Sequence, residues 1–369
     1  MKPLLLVALF VPLVVACSSG DDSSTTDGGV DSSSGDGTTS GDVVAKDSPA
    51  QETGPVLCNG VVCGANTQCF KSTSCVCNDG FVPSGNDCVA APAGSPASHT
   101  QTDVCTRWKA GHVITTASPY TAGSQKCDPG TLAAGGITDT LLRLNTFRWL
   151  VGEGDTVTDD ATKDTGDQAC AIIAIWNPAN ATAHNPPPNY VCYNSLGATW
   201  AGQSNISWGT AVSDTIDQYV QDTGNDSTLG HRRWVLHPPL GVVGIGYVKA
   251  SGTQYGAASC LGVFDSSSTG PKPSWYSWPP EGYFPSTTAA WQWSFHYPAG
   301  MSTATATVMD MATGKNVNVT TTILPSGYGD DTLEITPGFT PVVDDIYRVT
   351  VTPGGKSPIV YEVHPVSCP

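Results

Sequence analysis

Residues 230–247 read GHRRWVLHPPLGVVGIGY, a polar start with a histidine and two arginines that gives way to an apolar segment. Trp234–Leu236 and Val242–Tyr247 are rich in branched and aromatic residues, which favour β-structure. Pro238-Pro239 separates them, because proline does not continue a strand. We therefore predict two β-type segments in this run, preceded by the polar residues Gly230–Arg233.

The sequence before this run has the periodicity of helices. An apolar stripe from Thr138 to Leu150 predicts one helix, and Gln168–Trp176 predicts a second, buried one. Ala211–Tyr219 carries apolar residues at helical spacing and is followed by Gly224-Asn225, which predicts a third. Helices and strands together predict an α+β domain over residues 99–265.

Four short motifs in this domain resemble the CAP superfamily, which comprises the cysteine-rich secretory, antigen 5 and pathogenesis-related 1 proteins. The motifs are Leu144-Asn145-x-x-Arg148, Ala183-His184-Asn185-Pro186, Ser204-Asn205-Ile206, and Gly230-His231-Arg232-Arg233 leading to Val243-Gly244-Ile245-Gly246. The resemblance rests on their order and spacing, since no single motif is specific enough alone. It implies a CAP-like α/β/α sandwich for residues 99–265.

The same resemblance implies a central cleft in which two histidines and two glutamates can hold a divalent metal such as zinc. His184 and His231 match the histidines, whereas Ser204 and Asp222 stand at the glutamate positions. Serine is a poor zinc ligand, and a durable zinc site has three or four ligands. The cleft is therefore either a metal site or a hydrogen-bonded histidine pair that lines a ligand pocket.

A serine, a histidine and an aspartate also invite a hydrolase interpretation, in which Ser204 is the nucleophile and Asp222 orients the base. No Gly-x-Ser-x-Gly turn surrounds Ser204, so the usual device for exposing a serine nucleophile is missing. We predict a binding or adhesion role toward a small apolar, glycan or protein ligand. The alternative is a hydrolase or a metal-dependent enzyme that uses His184 and His231.

Residues 56–90 contain six cysteines in a segment too short to be held by a hydrophobic core. These are Cys58, Cys63, Cys69, Cys75, Cys77 and Cys88, and their spacing alone leaves every pairing open. The Cys75-x-Cys77 spacing, followed by Asn78-Asp79-Gly80-Phe81, resembles an EGF-like module. That resemblance implies the pairs Cys58–Cys69, Cys63–Cys75 and Cys77–Cys88. The acidic residues of calcium-binding modules do not precede Cys58, so we expect a spacer or a protein-interaction module without calcium.

Six more cysteines follow, namely Cys105, Cys127, Cys170, Cys192, Cys260 and Cys368. Sequence proximity predicts the pairs Cys105–Cys127 and Cys170–Cys192, which leaves Cys260 for Cys368. So many cysteines favour an oxidising compartment. The chain has 13 cysteines, so the one at position 17 has no partner.

Cys17 ends a short apolar run that follows Met1-Lys2, and Val14-Val15-Ala16-Cys17 resembles a bacterial lipobox. The resemblance implies that residues 1–17 are a lipoprotein signal peptide and that Cys17 is lipidated, which attaches the protein to a membrane. Residues 18–55 are acidic and rich in Ser, Thr and Gly, which predicts a disordered linker. We therefore predict a lipid-anchored protein of the bacterial cell envelope, at the outer membrane or the cell surface.

Residues 270–369 begin with the Trp/Pro-rich segment Trp275–Pro285 and continue as short alternating runs separated by turn residues. This pattern predicts an immunoglobulin-like β-sandwich. The aromatic segment is either a carbohydrate platform or a surface that packs on the neighbouring domain.

The charge balance excludes one class of partner. The 369 residues include 16 Lys and Arg against 32 Asp and Glu, a formal net charge of −16. Nucleic-acid binding needs a basic surface that neutralises phosphates, so we expect no nucleic-acid partner.

Overall fold

A computed structural model of the chain describes residues 56–177, 182–298 and 300–369. The predicted signal peptide, Cys17 and the acidic linker lie outside these residues. Among the described residues, no helix combines the length and the apolar character that a membrane span requires. All twelve cysteines after Cys17 form disulfides, as expected for an extracellular protein.

The cysteine-rich segment forms three antiparallel hairpins. Its strands are β1 (Leu57–Cys58), β2 (Val61–Val62), β3 (Thr67–Phe70), β4 (Ser74–Cys77), β5 (Phe81–Ser84) and β6 (Asp87–Ala90), paired in chain order. The disulfides are Cys58–Cys69, Cys63–Cys75 and Cys77–Cys88, so the expected pairing is confirmed. Val76 is the only fully buried aliphatic side chain among the described residues of this segment. Disulfides therefore stabilise this segment in place of a hydrophobic core.

The central region alternates helices with short strands. Its elements are α1 (Gln101–Gly111), β7 (Tyr120–Thr121), β8 (Thr131–Leu132), α2 (Ala134–Leu150), β9 (Thr158–Asp159), α3 (Ala161–Trp176), α4 (Ser195–Ala201), β10 (Ser204–Trp208), α5 (Thr215–Gln221), α6 (Gly230–Val235), β11 (Val242–Lys249) and β12 (Ala257–Gly262). The sheet has the order β10-β12-β11-β9, and only the β11–β9 pair is parallel. The predicted mixture of helices and strands is confirmed.

Apolar side chains cover both faces of this sheet. Val243 and Ile245 of β11 join a core with α2, α5 and α6, whereas Val248 and Cys260 join a second core with α3 and α4. Helix α3 packs against β11 at Gly246, where an added Cβ would lie 2.1 Å from the backbone of Asp167. Glycine is required there because the two backbones approach so closely.

Side chains define where these helices begin. The Thr100 hydroxyl accepts from the Asp103 N–H before α1, and the Asp103 carboxylate accepts from the Thr100 N–H, which completes a capping box. Asp160 caps α3, and Asn194 caps α4. Helices α2 and α3 end at Leu150 and Trp176 as the apolar periodicity predicts, but they begin at Ala134 and Ala161, before the predicted starts at Thr138 and Gln168. The third predicted helix differs, because α5 begins at Thr215 rather than Ala211.

The prediction of a strand at Trp234–Leu236 is wrong, because Trp234 and Val235 belong to helix α6. The Asp222 carboxylate accepts hydrogen bonds from the N–H groups of His231 and Arg232, which satisfies the first turn of this helix. An apolar run of three residues does not distinguish a strand from a buried helical turn. The second predicted strand is confirmed as part of β11.

The predicted pairing of the later cysteines is also wrong, because the bonds are Cys105–Cys368, Cys127–Cys192 and Cys170–Cys260. Helix α3 lies against β12, which brings Cys170 to Cys260. Tertiary packing, and not sequence proximity, therefore selects these partners.

The C-terminal region consists of two sheets around one apolar core. Its strands are β13 (Tyr276–Trp278), β14 (Gly282–Pro285), β15 (Trp293–Tyr297), β16 (Thr305–Asp310), β17 (Lys315–Val317), β18 (Val319–Ile323), β19 (Asp331–Pro337), β20 (Tyr347–Thr352) and β21 (Ile359–Val366). The sheets have the orders β13-β15-β19-β18 and β14-β21-β20-β16-β17. The β-sheet character predicted for this region is confirmed.

The Trp/Pro-rich segment packs the central region against the C-terminal sheets. Trp278 is 1% exposed, and its ring centroid lies 5.3 Å from that of Phe147 in α2. Trp278 therefore belongs to the core of the central region, as in the packing interpretation of this segment.

Three buried arginines fix helix α6 and the turn after it. Arg148 of α2 donates to the carbonyls of Val235, His237 and Leu240, the last 3.2 Å away. The other two, Arg232 and Arg233, donate to carbonyls of the C-terminal region. The arginines thus hold the element that carries His231.

Candidate functional site

A cleft opens between the loop that carries His184, strand β10 and the connection from α5 to α6. It consists of two adjoining cavities of about 380 and 800 Å³, and both are lined by His184, Asn225 and His231. Asp222 lines the larger cavity, and Ser204 lines the smaller one. The four residues predicted for the cleft therefore lie around one depression.

His231 is held by Asp222 at the start of α6. Its Nδ1–H donates to Asp222 Oδ1 at 2.7 Å, while its backbone N–H donates to Oδ2 at 3.0 Å. Asn225 Nδ2 also donates to this carboxylate, which is almost fully buried. Asp222 has φ of 57°, a left-handed conformation that aspartate tolerates better than most residues. Asp222 is thus both a helix cap and the group that orients His231.

His184 is oriented by the backbone of α4. Its Nδ1–H donates to the Ala201 carbonyl at 2.9 Å. The loss of water around the ring lowers the pKa of His184, and the nearby His231 lowers this pKa further. The ring is therefore neutral at pH 7, and its Nε2 keeps a lone pair.

The two imidazoles form a pair across the cleft. Their ring centroids are 6.3 Å apart, with planes inclined by 43°. Among the described residues, no protein group bonds to Nε2 of either ring, because each ring uses its Nδ1 for the bond that orients it. Both Nε2 atoms are thus available to a ligand.

Ser204 turns its hydroxyl away from the histidines and toward helix α3. Its Oγ lies 2.5 Å from Asp167 Oδ1 and 2.7 Å from the Trp200 carbonyl. Burial raises the pKa of Asp167 to about 7. A hydroxyl has a single proton, so both contacts are satisfied when Asp167 is protonated and donates to Ser204, which then donates to Trp200. Among the described residues, no hydrogen bond joins Ser204 to either histidine.

Asn205 of strand β10 and Tyr219 of helix α5 hold His231 in position. Asn205 donates from Nδ2 to the His231 carbonyl at 2.9 Å. Tyr219 donates from its hydroxyl to the Asn205 carbonyl at 3.0 Å, and its ring centroid lies 5.5 Å from that of His231. The apolar stripe of the predicted third helix already marked Tyr219 as buried.

Aromatic side chains form two walls of the cleft. At one end Trp208 faces Tyr255 with ring centroids 6.3 Å apart, and at the other Trp234 faces Phe264 at 4.7 Å. Tyr328 lines the smaller cavity from the C-terminal region. Tyr255 and Phe264 are 40% and 51% exposed, so their rings remain open to a ligand. Sequence reasoning missed these walls, because their residues come from distant loops without a shared motif.

The polar groups between the walls are uncharged at neutral pH. They are the side chains of Gln218, Asn225 and Thr228 beside the two histidines. Amide and hydroxyl groups both donate and accept hydrogen bonds. The cleft therefore combines exposed aromatic faces with neutral groups of mixed hydrogen-bonding capacity.

The histidine pair also has part of the arrangement that a metal requires. Metal-binding histidines usually donate their other ring nitrogen to a carboxylate or a backbone carbonyl, as His231 and His184 do. Asp222 already accepts several hydrogen bonds and Ser204 faces Asp167, so neither is a third ligand. Among the described residues, the only cluster of three potential ligand side chains is Cys58, Cys63 and Cys75, and these are disulfide-bonded. A zinc ion here would have two protein ligands.

The chain matches no protein-family model, no curated protein and no solved structure. We therefore infer the function of the cleft from its geometry.

Proposed function

We propose that this protein is a glycan-binding lipoprotein of the bacterial cell envelope. In this proposal Cys17 is lipidated, residues 18–55 form a linker, and residues 99–265 form a CAP-like domain whose cleft holds the ligand. The observation that carries the proposal is the pair of exposed aromatic walls that flank amide and hydroxyl groups and the two histidines.

The chemistry of the cleft favours a glycan over the other ligand classes considered. The C–H faces of a sugar ring pack on aromatic rings, while its hydroxyls both donate to and accept from amides. An apolar ligand would leave the Nε2 atoms of His184 and His231 without partners. The open shape of the cleft suits a chain of sugars that enters at one wall and leaves at the other.

Two features of the fold support a CAP-like domain. Helices cover both faces of a four-stranded sheet, and His184 meets His231 although they are distant in sequence. This juxtaposition is what the resemblance to the family implies. The acyl anchor has support only from the lipobox-like residues before Cys17 and from the disulfides, which suit an extracytoplasmic protein.

Replacement of Tyr255 by alanine is expected to weaken glycan binding by roughly tenfold, because it removes one exposed stacking face. The measurement is a calorimetric titration of the purified chain with cellotetraose, chitotetraose, maltotetraose and mannotetraose. Tyr193→Ala, a partly exposed tyrosine outside the cleft, is the matched control and is expected to bind as the unaltered chain does. The proposal fails if none of the four sugars binds, or if both variants bind equally well.

A second candidate function is that of a metal-dependent enzyme. The observation that favours it is the pair of oriented imidazoles, His184 and His231, whose Nε2 atoms make no hydrogen bond to the described residues. This candidate predicts that the purified chain retains about one zinc ion and that the double variant His184→Ala, His231→Ala retains none. His112→Ala is the control, because His112 lies outside the cleft and bonds to Asp217. Elemental analysis after dialysis measures the zinc content. A metal-free unaltered chain would eliminate this candidate and leave the histidines as ligand contacts.

A further inference from the structure

A second cavity of about 500 Å³ lies between the cysteine-rich segment, the linker to α1 and the C-terminal sheets. It shares no lining residue with the histidine cleft. Its lining combines polar groups with apolar side chains, and the apolar ones include Val82, Pro83, Pro92, Pro96, Trp275 and Ile359. We call this cavity the proline groove.

The walls of the proline groove are rigid. Prolines have a fixed φ, and those of the lining come from four separate segments of the chain. Trp275 is held by two other rings, with its centroid 5.3 Å from that of Phe295 and 5.2 Å from that of Tyr361. The groove is therefore present before a ligand arrives, which reduces the entropic cost of binding.

Glu281 lines the proline groove and is only 9% exposed. Among the described residues, no donor hydrogen-bonds to its carboxyl group. The neighbouring Glu362 is different, because it accepts from Arg348 Nε at 3.0 Å and from the Cys77 N–H at 3.1 Å. Arg348 is thus engaged with Glu362, and Glu281 has no positive partner.

Burial is the main cause that raises the pKa of Glu281 to about 7, and Glu362 raises it further. Two further titratable groups, His364 and Asp79, each contact another residue. His364 lies 3.9 Å from Glu362, and Asp79 accepts a hydrogen bond from Tyr283 at 2.6 Å. A buried carboxylate without a partner is costly, and a cation in the groove would remove that cost.

We propose that the proline groove binds a lysine side chain of a partner protein, with the ammonium group paired to Glu281. The four methylenes of lysine are apolar and suit the proline and aliphatic walls. The ammonium group at the end of this stem is a compact cation that can pair with one buried carboxylate. The net charge of −16 on the chain attracts basic partners before contact.

The test uses the purified chain and two small probes, N-acetyl-lysine methylamide and N-acetyl-norleucine methylamide, which differ chiefly in the ammonium group. We expect the lysine probe to bind roughly tenfold more tightly or better in a titration followed by NMR. Glu281→Gln removes the charge at nearly constant volume and is expected to abolish this difference. Glu334→Gln, the same change at a glutamate of the other sheet, is the control and is expected to preserve it.

The pH dependence gives a second, independent readout. Lysine stays protonated between pH 6 and 8, whereas Glu281 loses its proton across this interval. Affinity for the lysine probe is therefore expected to rise from pH 6 to 8 and to become constant above that, and this rise is expected to vanish in Glu281→Gln. His364→Gln is expected to retain the rise, because His364 contacts Glu362 and not the ligand.

Three outcomes would overturn the proposal. They are equal affinity for the two probes, unchanged lysine binding by a folded Glu281→Gln variant, and tighter binding at low pH, which would indicate a protonated carboxyl group that donates to a neutral ligand. Thermal unfolding of each variant verifies that it is folded. Glycan binding in the histidine cleft is expected to be unaffected, since the two cavities share no residue.

Discussion

Replacement of Arg148 by methionine is expected to lower the free energy of unfolding by about 3–5 kcal/mol, the usual cost of removing one partner from a buried charge pair. Arg148 and Glu153 are fully buried, and Arg148 Nη1 lies 2.7 Å from Glu153 Oε2. Methionine fills a similar volume but donates no hydrogen bond. The variant therefore leaves Glu153 without its ion-pair partner and three backbone carbonyls without their donor.

The loss of unfolding free energy in Arg148→Met is expected to increase with pH. Complete burial outweighs the nearby Arg148 and raises the pKa of Glu153 to about 8. An acid with a raised pKa in the folded state disfavours folding as the pH rises from its unfolded value toward the folded one. Without Arg148 the ionised form of Glu153 is still less favourable in the folded protein. Arg148→Met is therefore expected to be more destabilising at pH 9 than at pH 6.

Urea unfolding followed by tryptophan fluorescence measures this loss at each pH. Lys109→Met makes the same kind of change at an exposed position near the end of α1, and it is expected to alter stability by no more than about 0.5 kcal/mol. A loss below about 1 kcal/mol for Arg148→Met at both pH values would contradict the assigned role of this arginine.

The double variant Cys105→Ser, Cys368→Ser is expected to lower the free energy of unfolding by about 5 kcal/mol, the upper end of the range for disulfides. The bond joins residues separated by 263 positions, the longest separation among the six disulfides of the described chain. Loop-closure entropy grows with loop length, so this bond restricts the unfolded chain more than any of the others.

Urea unfolding and amide hydrogen exchange measure the effect. Exchange is expected to accelerate first in α1 and β21, the elements nearest to the two cysteines. Ser367→Ala, an exposed neighbour of Cys368, is the control and is expected to leave both measurements unchanged. A double variant that unfolds at the same urea concentration as the unaltered chain would show that packing alone holds the C-terminus.

Features with a local physical cause were predictable from the sequence. The stripe that ends at Leu150 produces α2, and the apolar run up to Trp176 produces the end of α3. The spacing around Cys75 and Cys77 implied the correct pairing through resemblance to a known module. His184 and His231 line the same two cavities, and the sequence singled them out through motifs and not through periodicity.

Features that depend on distant contacts were not predictable. Cys170 bonds to Cys260 only because α3 lies on β12, and the sequence gives no sign of that packing partner. Trp234 belongs to a helix because Asp222 caps that helix from an earlier loop. Ser204 lies in the predicted cleft, yet the direction of its hydroxyl is determined by Asp167, a residue of α3 that no motif marked.

The Cys105–Cys368 bond also determines how the protein responds to mechanical force. Two covalent routes join the cleft to residue 105. One route follows the chain back through α3 and α2, and the other runs forward through the C-terminal sheets and returns across the disulfide. Tension between the cleft and residue 105 is shared by both routes, so the closed loop limits how far the two can be pulled apart.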